Sequence, residues 1–145
     1  MRTAVFTQMI GTPFCEKGRG LSGFDCWGAV RWGLLYGFGV EVPSYTEDYA
    51  TTQEGTDIAA LIGRESLGWF EVSLHEAQPG DVLILRIKGQ PWHCGLVIDP
   101  PCFLHADRMA GTIRERWDAL LWARRIVAVY RHPMLQEADC AHTAR

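Results

Sequence analysis

The sequence has no run of lysine or arginine, no apolar stretch long enough to span a bilayer, and no closely spaced cysteine pair. A net charge of -3 with a pI near 5.9 supplies no basic field for a nucleic-acid backbone, so neither a nucleic acid nor a membrane is expected as a partner. Met1 to Phe14 carries Arg2 but lacks the continuous apolar core and small-residue cleavage site of a secretory signal, which leads us to expect synthesis in a cytoplasm without export by the general route. Five cysteines, an odd number without a CxxC pair, argue against both a disulfide framework and a structural zinc site. Reduced thiols are expected, with no metal and no cofactor. Internal repeats and low-complexity segments are also missing.

What is present fits one α+β domain of ordinary size. The 145 residues are 48% hydrophobic and 21% charged, enough apolar material for a single core over 1–131, with an aperiodic tail, 132–145, expected to be loose. The most informative stretch runs from Gly23 to Gly39. Asp25 is a good N-cap, Cys26 becomes the first helical residue, and Ala29, Val30, Leu34 and Leu35 form an apolar stripe that Gly37 and Gly39 end. A thiol at that position faces unpaired N–H groups and the positive end of the helix dipole, which favour the reactive thiolate. Free cysteine is also among the most buried residue types, so Cys26 alone is better explained by packing. It needs a base.

Elsewhere, Thr3–Ile10 reads as a short helix ending at Gly11, followed by the turn Gly11-Thr12-Pro13-Phe14 and a glycine-rich loop from Cys15 to Gly23. Val40–Tyr45 is extended, Thr46–Glu54 irregular, and Thr56-Asp57 caps a helix to about Glu65. Trp69–Val72 is a short strand candidate. From Pro79-Gly80 the period changes to two, giving strands at 81–87, 93–98, 102–106, 111–116 and 125–131. We expect a roughly five-stranded antiparallel meander with the helices ahead of it.

Five histidines compete for the role of base: His75, His93, His105, His132 and His142. If Asp99-Pro100-Pro101 is a three-residue loop, Val97 pairs with Phe103 and Gly95 with His105. Strand alternation then puts His93 and His105 on one face as diagonal neighbours, with Gly95 leaving room for the His105 ring. A two-residue loop would send the two rings to opposite faces. Alone, His93 reads as a partly exposed strand-start residue and His105 as a satisfied core histidine. Cys26, His93 and His105 could also hold zinc, but a fourth ligand and a close-spaced pair are missing. Cys94 and Cys102 fall on the opposite strand face and read as core.

Taken in order, Gly11-Thr12-Pro13-Phe14, Gly23-Phe24-Asp25-Cys26-Trp27-Gly28, Pro79-Gly80-Asp81-Val82, His93-Cys94-Gly95-Leu96-Val97 and Leu104-His105-Ala106 resemble the motifs of the NlpC-like cysteine peptidases. The resemblance covers about Ile10 to Arg131. It implies a papain-like fold with the nucleophile helix packed on the sheet, Cys26 as nucleophile, His93 as base and His105 as the residue orienting it. It further implies that Phe14, Asp25 and Trp27 line a substrate cleft, and that the substrate is a peptidoglycan stem peptide, cut between D-glutamate and a diamino acid.

Phe14 stands where the family commonly has tyrosine, and Trp27 where many members have serine. The wording around Asp25-Cys26-Trp27-Gly28 and Tyr130-Arg131-His132 resembles the short form found among phage tail and gene-transfer-agent genes. That implies a protein made in a bacterial host cytoplasm and built into a virion tail, with tail-tip or baseplate partners. Two alternatives stand beside it: a tail-tip assembly or adaptor protein that keeps the fold and cuts nothing, and an amidase or acyltransferase using the same triad.

Overall fold

Asp25 and Gly39 bracket the central helix as their residue types require. The computed structural model describes residues 2–47, 49, 56–87 and 90–136. Its helices are α1 (Arg2–Met9), α2 (Cys26–Phe38) and α3 (Thr56–Ser66). The Asp25 carboxylate accepts from the Gly28 N–H at 2.8 Å, and Gly39, at φ +69°, ends α2 in the left-handed conformation open to a residue without Cβ. Gly37, expected to share that task, remains inside the helix.

The strands are β1 (Arg19–Gly20), β2 (Gly23–Phe24), β3 (Phe70–Val72), β4 (Val82–Ile87), β5 (Gln90–Asp99), β6 (Cys102–Asp107), β7 (Gly111–Arg116) and β8 (Ile126–Arg131). The first two form a small hairpin, and the other six make one antiparallel sheet in the order β3-β8-β4-β5-β6-β7. The expected meander holds from β4 to β7. The last strand then corrects it by returning to pair with β4, with β3 beyond, so the sheet has six strands. No local sequence signal encodes such a long-range pairing.

Both faces of this sheet are covered, which is why β4 reads as a nearly continuous apolar run. On one face, Ile84, Cys94, Leu96, Leu104 and Ala106 pack with Met9, Phe24, Cys26, Val30 and Leu34. On the other, Leu83, Leu85, Val97, Phe103 and Val129 pack with Trp117 and Trp122. Helix α2 sits so close to β5 that a Cβ on Gly33 would come 2.4 Å from Leu96 Cδ2.

Asp81, which opens β4, is buried and takes a bidentate ion pair from Arg131 of β8, at 2.9 and 3.0 Å. Its Oδ2 also accepts from the Gln78 N–H at 2.8 Å. The Pro79-Gly80-Asp81 motif is thus a structural clamp between the first long strand and the last. Residues 133–136 add one helical turn, with Leu135 packed against the α2-side core, so the chain just past 131 is held rather than loose; 137–145 lie outside the described residues.

Candidate active site

Four hydrogen-bond donors converge on the carboxylate that starts α2. Oδ1 of Asp25 accepts from Gly28 N–H and from Nη1 of Arg19, both at 2.8 Å, while Oδ2 accepts from Lys17 N–H at 3.0 Å and from the Tyr49 hydroxyl. Burial, and then the neighbouring carboxylate, hold the Tyr49 hydroxyl well above its ordinary pKa, so it stays a donor. Arg19 also donates to the Ser44 carbonyl from Nε at 3.1 Å and Nη2 at 2.8 Å, tying the loop before α2 to the segment after it. Gly28 is required where this loop passes: a Cβ there would lie 1.9 Å from the Gly18 carbonyl oxygen.

The resulting helix tip presents Cys26, which is only 2% exposed. Its sulfur lies against the thiol of Cys94. That hydrogen bond, reinforced by burial, pushes Cys94 well above the usual thiol range, so Cys94 remains a neutral donor toward Cys26. Cys94 does lie on the strand face opposite the two histidines, but it is a neighbour of the thiol as well as part of the core.

His93 and His105 are brought together. Nε2 of His93 and Nδ1 of His105 are 2.8 Å apart, with ring centroids at 4.9 Å and planes at 83°. The route to this geometry differs from the expected one. Val97 pairs with Phe103 as anticipated, but Asp99 pairs with Cys102, leaving the two-residue loop Pro100-Pro101, and Ile98 is an unpaired bulge residue. The bulge restores the face that a two-residue loop alone would have reversed. Nor does Gly95 make room for His105: a Cβ there would meet the Phe103 ring at 2.7 Å.

The chain of contacts continues to a residue the sequence reading missed. Nε2 of His105 is 2.7 Å from Oε1 of Glu115 on β7. What reveals it is the β6–β7 register, in which His105 pairs with Ile113 and Glu115 becomes its diagonal neighbour on the same face. Trp122, also missed, lies nearly parallel to His93 at 6.2 Å and edge-on to His105 at 5.2 Å. Under this cover, burial first and the charge of His105 second drive His93 down to about 3. Burial also lowers His105, with Glu115 opposing the shift. Both rings are therefore neutral near pH 7, and the His105–Glu115 contact is a hydrogen bond to a carboxylate rather than an ion pair.

Among the described residues, no hydrogen bond joins the Cys26 sulfur to His93, and no group of three or more His, Cys, Asp or Glu side chains is arranged to hold a metal ion. Sulfur and base are instead linked through one residue, since Cys94 beside Cys26 is the chain neighbour of His93. Of the three residues implied to line a cleft, Asp25 is 0% exposed with its acceptor sites filled. Trp27 is 2% exposed, its Nε1 donating to the Pro43 carbonyl at 2.9 Å. Both belong to the interior. Phe14 is half-buried, bridged to Phe24 through the backbone, with the Arg108 guanidinium 4.7 Å above its ring.

A helix that carries a cysteine at its first residue and packs on an antiparallel sheet is papain-like in class. Residues 11–131 match the NlpC/P60 family model, and the chain belongs to that family. It is 25% identical over 107 residues to Protein P54 of Enterococcus faecium, covering 74% of this chain but only 18% of that relative's length. Among solved structures, the NlpC/P60 domain of the peptidoglycan hydrolase SagA matches 89% of this chain and 94% of its own, at 21% identity and a TM-score of 0.61. An NlpC/P60 protein from Bacillus cereus matches 90% of this chain and 39% of its own, at 16% identity and TM-score 0.65. The peptidoglycan hydrolase RipB of Mycobacterium tuberculosis matches 90% and 62%, at 18% and 0.58.

Proposed function

We propose that the chain is a cysteine peptidase that hydrolyses peptidoglycan stem peptides, at the bond between D-glutamate and a diamino acid. The observation that carries this is the hydrogen-bonded series His93, His105, Glu115 on the strand that also supplies the neighbour of a helix-tip thiol. Family membership and the named activity of SagA and RipB supply the substrate class.

In this reading His93 takes the Cys26 proton as the sulfur attacks the peptide carbonyl, and the Cys26 N–H is one donor to the oxyanion. The same proton passes to the leaving amine. Water then hydrolyses the thioester, returning the thiol and releasing the acid. Cys26 packs on the α2 side of the sheet and His93 against Trp122 on the other side, so this reading requires substrate binding to bring sulfur and imidazole together. The residues permit amide transfer to acceptors other than water, so an amidase or acyltransferase differs only in the acceptor. We also propose that the protein acts in a phage or phage-like tail tip during DNA delivery, made in the host cytoplasm and docked on tail-tip or baseplate proteins. That part rests on sequence wording alone.

One observation favours a second reading, an adaptor that keeps the fold without cutting: Cys26 is 2% exposed. The replacement of serine by Trp27 lends it less support, because that side chain is 2% exposed and its Nε1 donates to the Pro43 carbonyl. Incubating the purified protein with cell-wall fragments and weighing the products by mass spectrometry decides between them. The peptidase gives a fragment ending in glutamate and one with a new diamino-acid amine. No products, or the same products from Cys26→Ala, overturn it.

A further inference from the structure

Three ring nitrogens of the two histidines are involved in the contacts among His93, His105 and Glu115, and their proton positions follow from the end of the chain. An ionised carboxylate has acceptors only, so Nε2 of His105, 2.7 Å from Glu115, must carry a hydrogen. A neutral imidazole has one N–H, which leaves Nδ1 of His105 as an acceptor. Nε2 of His93, 2.8 Å from that atom, is then the donor. His93 has no second N–H. Its Nδ1 keeps a free lone pair, the state that a general base requires.

We propose that Glu115 is a positioning residue that fixes the tautomers of both histidines, so that the bare nitrogen of His93 is Nδ1. Without an acceptor-only group beyond His105, nothing would select the direction of the His93–His105 hydrogen bond. Either ring could donate, and one of the two arrangements puts a hydrogen on Nδ1 of His93, where it can no longer accept a proton from a thiol. Burial of both rings, which keeps them neutral, makes the selection matter: two protonated rings would have no tautomers to choose between. Trp122, parallel to His93 and edge-on to His105, shields the two rings from water that would otherwise supply an acceptor in place of the carboxylate. Glu115 itself is exposed enough, at 25% of its side chain, to be replaced without opening the core.

As a statement about rate this rests on the proposed function; as a statement about protons it does not. Long-range proton–nitrogen NMR of the full chain, labelled with ¹⁵N-histidine, reads each ring directly near pH 7. In the wild type, His93 and His105 are both expected as the Nε2–H tautomer. In Glu115→Ala, the two rings are expected to show mixed tautomers, and any stem-peptide hydrolysis to fall in kcat by roughly 10- to 100-fold with KM held, less than the 10²–10⁴ a base itself contributes. An Nδ1–H signal from either ring in the wild type overturns the proposal without any variant, as does an unchanged tautomer pattern in a folded Glu115→Ala. A correct tautomer pattern with no hydrolysis from the wild type overturns the peptidase and leaves the proton assignment standing.

Discussion

His93 and His105 meet edge to face across adjacent strands, joined by one 2.8 Å nitrogen-to-nitrogen hydrogen bond. That contact exists because β5 holds one more residue than β6 between Val97 and Asp99. The side-chain period of a strand is two, so each inserted residue reverses the face of everything beyond it. A two-residue loop and a one-residue bulge together preserve what either alone would have destroyed.

Burial of a neutral His93 should make the fold acid-sensitive. Its folded pKa of about 3 lies below the ordinary 6.5, so between those values the unfolded chain binds more protons and stability is lost as pH falls. The slope is up to about 1.4 kcal/mol per pH unit. His93→Gln removes this contribution, so its urea midpoint is expected to fall less steeply than that of the wild type from pH 6.5 to 4. Parallel slopes would show that His93 is not buried neutral.

Asp25 is expected to matter for stability. Replacing it with alanine leaves Arg19, Tyr49 and two backbone N–H groups without their acceptor, and losing one partner of a buried ion pair typically costs about 3–5 kcal/mol. Thermal unfolding of Asp25→Ala checks this directly. A variant with wild-type stability and a raised KM would restore Asp25 to the substrate cleft.

Trp122 keeps water from the base. Trp122→Leu, which uncovers the His93 ring, is expected to raise the His93 pKa from about 3 toward 6.5. The acid limb of kcat/KM would rise with it, a loss of up to about 30-fold at pH 5 on full recovery to 6.5. Superimposable pH–rate profiles for variant and wild type would contradict this assignment.

How much of this could be read in advance depends on how local each signal is. The start of the thiol helix was legible to the residue and its end to within two, because Asp25 and Gly39 act on backbone groups a few positions away. The pairing of the histidines was legible from strand alternation even though the loop was misjudged, since a three-residue loop and a bulged two-residue loop give the same facing. The return of β8 beside β4 was not legible, because strand partners far apart in sequence leave no mark on local periodicity. Glu115 was hidden for another reason. In Thr112-Ile113-Arg114-Glu115-Arg116 it reads as one more surface charge, and only the register against His105 shows what it serves.

The most direct test is the initial rate of stem-peptide hydrolysis by the wild type and by folded Cys26→Ala. A loss of roughly 10³-fold or more is expected when the nucleophile is removed. Hydrolysis by Cys26→Ala at the wild-type rate would contradict the assignment of the helix-tip sulfur as the attacking group.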